Sequence, residues 1–235
     1  MKAVKKYLEV PISSIILIFL LIASCAAIYY FIEAEESKLS TIIGGIGGGL
    51  VVYIIGYILS IYKYKSIDRF RELGVKEILP NRRGTDYYNN LIRKANDRVV
   101  VTGTSCTRFI NDFADEDSDE HTLIDVLREN KLLKVQFLVP KEKYMDESSK
   151  VSFKLGQAKL KKLISDYPER IEMRQYSFEP RYSFVRVDSD LIVGPVFSGT
   201  ESKNSPAIHL DVNSSFSEKY LQNFNQVWDS STVYT

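Results

Sequence analysis

Two short stretches of the chain carry side chains suited to holding phosphate. In VTGTSCTRF, Val101–Phe109, the hydroxyls of Thr104 and Ser105 and the guanidinium of Arg108 gather around a glycine. The stretch joins an apolar run to a helix. Free amides at a helix start, with hydroxyls beside them, suit an anion, and an arginine adds a two-pronged charged donor. In RYSFVRVD, Arg181–Asp188, the residue types alternate as on a strand. Alternation places Arg181 and Ser183 on one face and Tyr182, Phe184 and Arg186 on the other. A fixed positive fork next to a hydroxyl can bind a phosphodiester without cutting it.

Other reactive residue types lead to less. Cys106 sits in the first stretch, but the chain's two histidines, His121 and His209, are both distant from it in sequence. A nucleophilic cysteine needs a nearby base, so none is expected here. His209 is expected on a strand of its own, with no partner nearby. The acidic run DFADEDSDEH, Asp112–His121, lacks the alternating ligands and the glycine of a calcium loop. It reads as a solvated entry to a helix. No metal and no cofactor is expected. Cys25 falls in an apolar run and Cys106 in a domain expected to be cytosolic, so no disulfide is expected.

Net charge +1 and 45% hydrophobic residues average two unlike regions. Residues 10–32 and 40–62 contain no charged side chain. Each run is long enough to cross a hydrocarbon core of roughly 30 Å as a helix. The first run is too long for a cleaved signal, and a second follows it directly. Lys2, Lys5 and Lys6 precede the first run, and Lys63, Lys65, Arg69 and Arg71 follow the second, while the link Glu33–Lys38 is acidic. Basic flanks stay inside, so a multi-pass inner-membrane protein with both termini cytoplasmic is expected. The second run holds Gly44, Gly45, Gly48, Gly49 and Gly56, spaced so that small faces form on a helix. Such faces pack closely in lipid, either on the first span or between subunits around a pore. No ionisable side chain lies in either run, which argues against a charge-lined path or proton relay.

The organisation is therefore a two-span transmembrane module, residues 1–65, and one cytosolic α/β domain, residues 66–235. The helix leaving the membrane is expected to continue from Ser66 to about Lys76, until Pro80 and Asn81 break the pattern. Helices are expected at 87–96, 121–130, 150–165 and 215–228. RVVVTG, LKVQFLVP, IEMRQY, YSFVRV, DLIVGPVF and AIHLDV read as strands. Strands interleaved with helices, followed by a run of strands, give a mixed sheet in a single domain.

Over about residues 68–230 the order of these features resembles the phospholipase D-like superfamily, whose signature is His-x-Lys-x-x-x-x-Asp on one strand and Gly-Ser at the end of the next. Arg181 stands in the histidine slot, Ser183 in the lysine slot and Asp188 in the aspartate slot. Gly194-Pro195 replaces Gly-Ser. The resemblance implies a phosphate-shaped cleft with Thr104, Ser105, Arg108, Arg181 and Ser183 around it. The departures imply loss of catalysis, because an arginine stays protonated and shuttles no proton at neutral pH. A two-span module joined to a degenerate enzyme domain also resembles bacterial antiviral membrane effectors. That implies a homo-oligomer in the lipid bilayer, a nucleotide or short nucleic-acid ligand, and a partner enzyme that synthesises the signal. A membrane-bound nuclease or lipase and a membrane scaffold are the alternatives.

Overall fold

The computed structural model describes residues 12–33, 38–118, 121–197 and 199–234. Two long helices come first, α1 (Ile12–Glu33) and α2 (Lys38–Glu72). Within α2, Ile42–Ser60 is long and apolar enough to cross a membrane, and the apolar stretch Leu17–Glu33 of α1 is shorter. Both leave large apolar side chains uncovered, among them Phe19, Ile22, Val52 and Leu59. A helix that is apolar all round is at home in hydrocarbon, where it satisfies its own backbone hydrogen bonds. The charges behind the expected orientation lie largely outside the described residues: Lys2, Lys5, Lys6, the link residues 34–37, and the side chains of Lys63 and Lys65.

The glycines of α2 do not act alike. A Cβ on Gly44 would sit 2.6 Å from the Phe31 ring, and one on Gly47 would sit 3.4 Å from Ala27. These two glycines let α1 approach. Gly45, Gly48, Gly49 and Gly56 have nothing within 4 Å. The Ser60 hydroxyl donates back to the Gly56 carbonyl at 2.9 Å, so it is satisfied within its own helix.

Met1–Arg69 and Phe70–Thr235 form two separate compact units. The helix expected to reach Lys76 stops at Glu72, and Val75–Leu79 is instead strand β1. Gly74, at φ 74°, makes the turn. It adopts a left-handed conformation that ends helices and that glycine enters without a Cβ penalty. VKEIL then pairs antiparallel with β7 (Ala207–Asp211), a partner far away in sequence.

The remaining strands are β2 (Arg98–Thr102), β3 (Lys134–Pro140), β4 (Ile171–Tyr176), β5 (Tyr182–Val187), β6 (Asp190–Pro195) and the short β8 (Thr232–Val233). They form one sheet in the order β1-β7-β6-β5-β2-β3-β4-β8. β2, β3 and β4 are parallel, and the other pairings are antiparallel. β2 (RVVVT) and β3 (KVQFLVP) are nearly continuous Val, Leu and Phe because both faces are covered, whereas β4 (IEMRQY) mixes apolar and polar side chains. Val99, Val101, Val135 and Phe137 pack on one side with α3 (Thr85–Ile92), α4 (Thr107–Phe113), α5 (Thr122–Glu129) and α6 (Glu147–Asp166). Val100, Leu138, Phe184 and Leu210 pack on the other with Phe224 and Trp228 of α7 (Ser215–Ser230). The domain is a mixed α/β fold with unequal layers of helix.

Candidate functional site

A cavity of about 340 Å³ opens at the C-terminal end of β2, on the α3–α6 side of the sheet. Ligand crevices of open α/β sheets lie at such strand ends. α4 forms one wall. Its first residue, Thr107, donates its hydroxyl to the Ser152 carbonyl at 3.0 Å, and a Cβ on Gly156 of α6 would lie 2.6 Å from Thr107. Only a glycine lets α6 hold α4 this close. Gly194 does the same for the opposite wall, because a Cβ there would come within 2.3 Å of the Pro206 carbonyl.

Thr104, Ser105, Arg108 and Ser183 all line this cavity. They do so around a residue that sequence reasoning missed, Arg82. It follows β1 in the loop NRRG and is buried, with only 7% of its surface exposed. Its Nη1 donates to the Ser183 hydroxyl at 2.5 Å and its Nη2 to the Pro195 carbonyl at 3.2 Å. Its Nε is buried without a partner, and no carboxylate pairs with Arg82 among the described residues. Arg108 donates to the Arg82 carbonyl at 2.7 Å and holds Asp112 at 3.0 Å. Burial pushes the Arg82 pKa below its ordinary value; Tyr88 opposes this, and the Arg108 guanidinium adds to it. The hydroxyl of Ser205, 1% exposed, is also buried without a partner on the cavity wall. Buried polar groups in folded proteins are nearly always paired, so each orphan needs a reason.

The helix start contributes less than its sequence suggests. α4 has seven residues, which is short for a macrodipole. Its entry residue Cys106 sits at φ 56°, and Ser105 reaches the Thr107 amide only at 3.4 Å. The lining carries Arg82, Arg108 and Lys203 against Asp112, Asp146 and Glu201. Arg108 pairs with Asp112 and Lys203 with Glu201, which leaves Arg82 as the lining cation with no carboxylate partner among the described residues. Burial pushes the Cys106 thiol up to about 12, which keeps it protonated. Neither histidine lines the cavity.

Arg181 is not brought to this site. β5 starts at Tyr182, so the alternation expected to place Arg181 beside Ser183 does not reach it. Arg181 lines a different cleft, with Tyr182 and Tyr176. Asp188 lies at the other end of β5 and does structural work. At φ 47°, its carboxylate accepts from the backbone amides of Asn96 (2.7 Å), Asp97 (3.0 Å) and Arg98 (2.9 Å). It thereby ties the β5–β6 turn to the start of β2.

His209 lies within β7 and, against expectation, has partners. Its Nε2 is 2.7 Å from Asp190 Oδ1, and its Nδ1 is 2.6 Å from the Tyr87 hydroxyl. Tyr87 in turn donates to Glu77 at 3.0 Å, and Lys76 pairs with Asp190 at 2.7 Å. The partners come from α3, β1 and β6, and no sequence spacing would have revealed them.

No family model matches the sequence, and no curated protein matches it. Solved structures similar to the chain include TrmBL2, an archaeal chromatin protein described with a novel mode of DNA binding. It is 10% identical with a TM-score of 0.46, over 80% of this chain and 70% of that one. A second is Nuc from Salmonella typhimurium, a phospholipase D family member, 16% identical with a TM-score of 0.42, over 63% of this chain and 89% of that one. A third is the phosphatidylserine synthase of Haemophilus influenzae Rd KW20, 10% identical with a TM-score of 0.46, over 67% of this chain and 39% of that one. Likeness at this level concerns the course of the chain, and function resides in the side chains grafted onto it.

Proposed function

We propose that the α/β domain binds a phosphate-bearing ligand, a nucleotide or short nucleic acid, as a signal and does not cleave it. One observation carries the reading: Arg82 is a buried guanidinium with no carboxylate partner among the described residues and an unpaired Nε, and it lines a cavity whose other arginine, Arg108, is already paired with Asp112. An uncompensated buried charge is costly, and a bound anion would offset the cost. Arg82 brings to the Ser183 hydroxyl the positive charge that a lysine supplies in the resembled signature. The nucleophilic imidazole of that signature has no counterpart in the cavity lining, which favours binding over hydrolysis.

In this reading the apolar helices anchor the sensor in the inner membrane with both termini cytoplasmic. The open glycines of α2 meet those of other subunits around a pore. A signal-synthesising enzyme, as in antiviral defence, supplies the ligand, and ligand shifts the pore equilibrium by binding one state better than the other.

The test is binding of a short 5′-phosphorylated oligonucleotide to the detergent-solubilised protein. Arg82→Ala should weaken it roughly ten- to a hundredfold, the usual worth of a charge-assisted hydrogen bond. Affinity should also fall as salt rises. Unchanged affinity in Arg82→Ala removes the cavity from the function. Turnover of a phosphodiester by the unmodified protein, lost in Arg82→Ala, replaces the sensor with a phosphodiesterase.

A further inference from the structure

The second cleft, about 650 Å³, lies at the same end of the sheet but on the α7 side, and its chemistry is different. Its walls are aromatic. Tyr176 and Phe178 lie with ring centroids 4.4 Å apart, and Phe178 is 46% exposed. Tyr182 is held in place by its hydroxyl, which donates to Asn223 at 2.6 Å. Two polar side chains in the lining, Thr102 and Tyr176, are each 6% exposed, and their hydroxyls have no hydrogen-bond partner among the described residues and stay open to the cleft. Arg181 stands beside them, exposed and with no ion pair or hydrogen bond from its guanidinium among the described residues. Thr102 borders this cleft and the anion cavity alike, so the two share a wall at the end of β2.

Flat apolar walls with two unused hydroxyls and a free guanidinium suit a planar heterocycle with polar edges. Bases stack on aromatic rings and on arginine planes, and their edges take hydrogen bonds from side chains such as these. A lone phosphate would leave the aromatic walls uncovered, and an acyl chain would offer no partner to the Thr102 and Tyr176 hydroxyls or to the Arg181 guanidinium. We infer that the cleft of Thr102, Tyr176, Phe178, Tyr182 and Arg181 seats the base of a nucleotide whose phosphate occupies the Arg82 cavity. The inference rests on the proposed anion site for the phosphate and on the cleft alone for the base. It also gives Arg181 a role: it covers a ring, where the sequence pattern suggested a phosphate contact.

Binding of the four 5′-ribonucleoside monophosphates and of ribose 5-phosphate to the detergent-solubilised full-length protein separates the two parts. At least one nucleotide should bind roughly tenfold or more tightly than ribose 5-phosphate, the scale of a stacked base. Phe178→Ala and Arg181→Ala, both at exposed positions, should each reduce that advantage and leave ribose 5-phosphate unchanged. Arg82→Ala should weaken nucleotides and ribose 5-phosphate together. Equal affinity for all five compounds, or an advantage that survives both cleft substitutions, overturns the base site. If no phosphate compound binds, the anion site fails on its own. The free nucleosides then decide the cleft: binding lost in Phe178→Ala supports it, and no binding overturns it.

Discussion

The two ends of strand β5 contrast in how their polar groups are satisfied. At one end Asp188 accepts three backbone amides, and its own amide donates to Arg98. At the other, Ser183 meets a guanidinium with an orphaned Nε and, across the cavity, an orphaned hydroxyl on Ser205. His209 belongs with the first kind, since both its ring nitrogens are engaged. Groups whose bonds are complete hold the fold, and the groups left incomplete at the cavity are the ones the proposed ligand would satisfy. By that measure His209 and Asp188 are fully bonded within the fold, and Arg82 is the charged side chain left incomplete at the cavity where the proposed ligand would bind.

The sharpest way to break this contrast is Asp188→Ala. It removes three bonds to a charged acceptor and forces alanine into a left-handed conformation. The expected loss of stability is about 2–4 kcal/mol, measured by chemical denaturation of the α/β domain's signal in the full-length protein. Phosphate-ligand affinity of the remaining folded protein should be unchanged. Lost affinity at unchanged stability would reverse the assignment.

The same contrast between filled and open positions recurs in α2. Gly44→Leu drives a side chain into Phe31, and overpacking of this kind costs about 1–3 kcal/mol. Cross-linking between α1 and α2 should report the disturbance. Gly45→Leu with Gly49→Leu starts from two open positions, where a Cβ has nothing within 4 Å. Loss of subunit number in native mass spectra of that double variant, with α1–α2 cross-linking unchanged, assigns the contact to a neighbouring subunit, and an unchanged number removes these glycines from an interface. A smaller effect is expected for Arg82→Lys. It keeps the charge but loses the planar fork, so ligand affinity should fall about tenfold, with less loss than in Arg82→Ala.

Much of this was legible in the sequence. The core strands β2 to β7 follow from apolar runs and alternation, and Thr104, Ser105, Arg108 and Ser183 do meet at one cavity. What was hidden depends on contacts between distant segments. Arg82 reaches Ser183 across 101 positions, and nothing in NRRG announces it. β1 owes its existence to the edge of β7, while VKEIL alone continues the preceding helix pattern. Arg181 was misplaced because alternation holds only inside a strand, and β5 begins one residue later.

The smallest expected effect is in the pH dependence of the His209 network. Burial opposes ionisation of Asp190, but hydrogen bonds from Lys76 and His209, with their charges, outweigh it and hold its carboxyl below the usual range. A group whose pKa is lower folded than unfolded binds its proton more readily in the unfolded chain. Its contribution is therefore complete above the unfolded value of about 4 and is lost as pH falls through the folded value. Asp190→Asn removes that proton from the balance. Below about pH 4 the stability of this variant should fall less steeply with acidification than that of the unmodified protein, by at most one proton in the slope. The variant should also be less stable at neutral pH, because Lys76 and His209 lose a charged acceptor. Phosphate-ligand binding should not change, since His209 and Asp190 are absent from the cavity lining. Equal acid slopes would show that the network is not what keeps Asp190 ionised. Altered ligand affinity would show instead that the satisfied and unsatisfied regions are coupled through β6, which carries Asp190 at one end and Pro195 at the other.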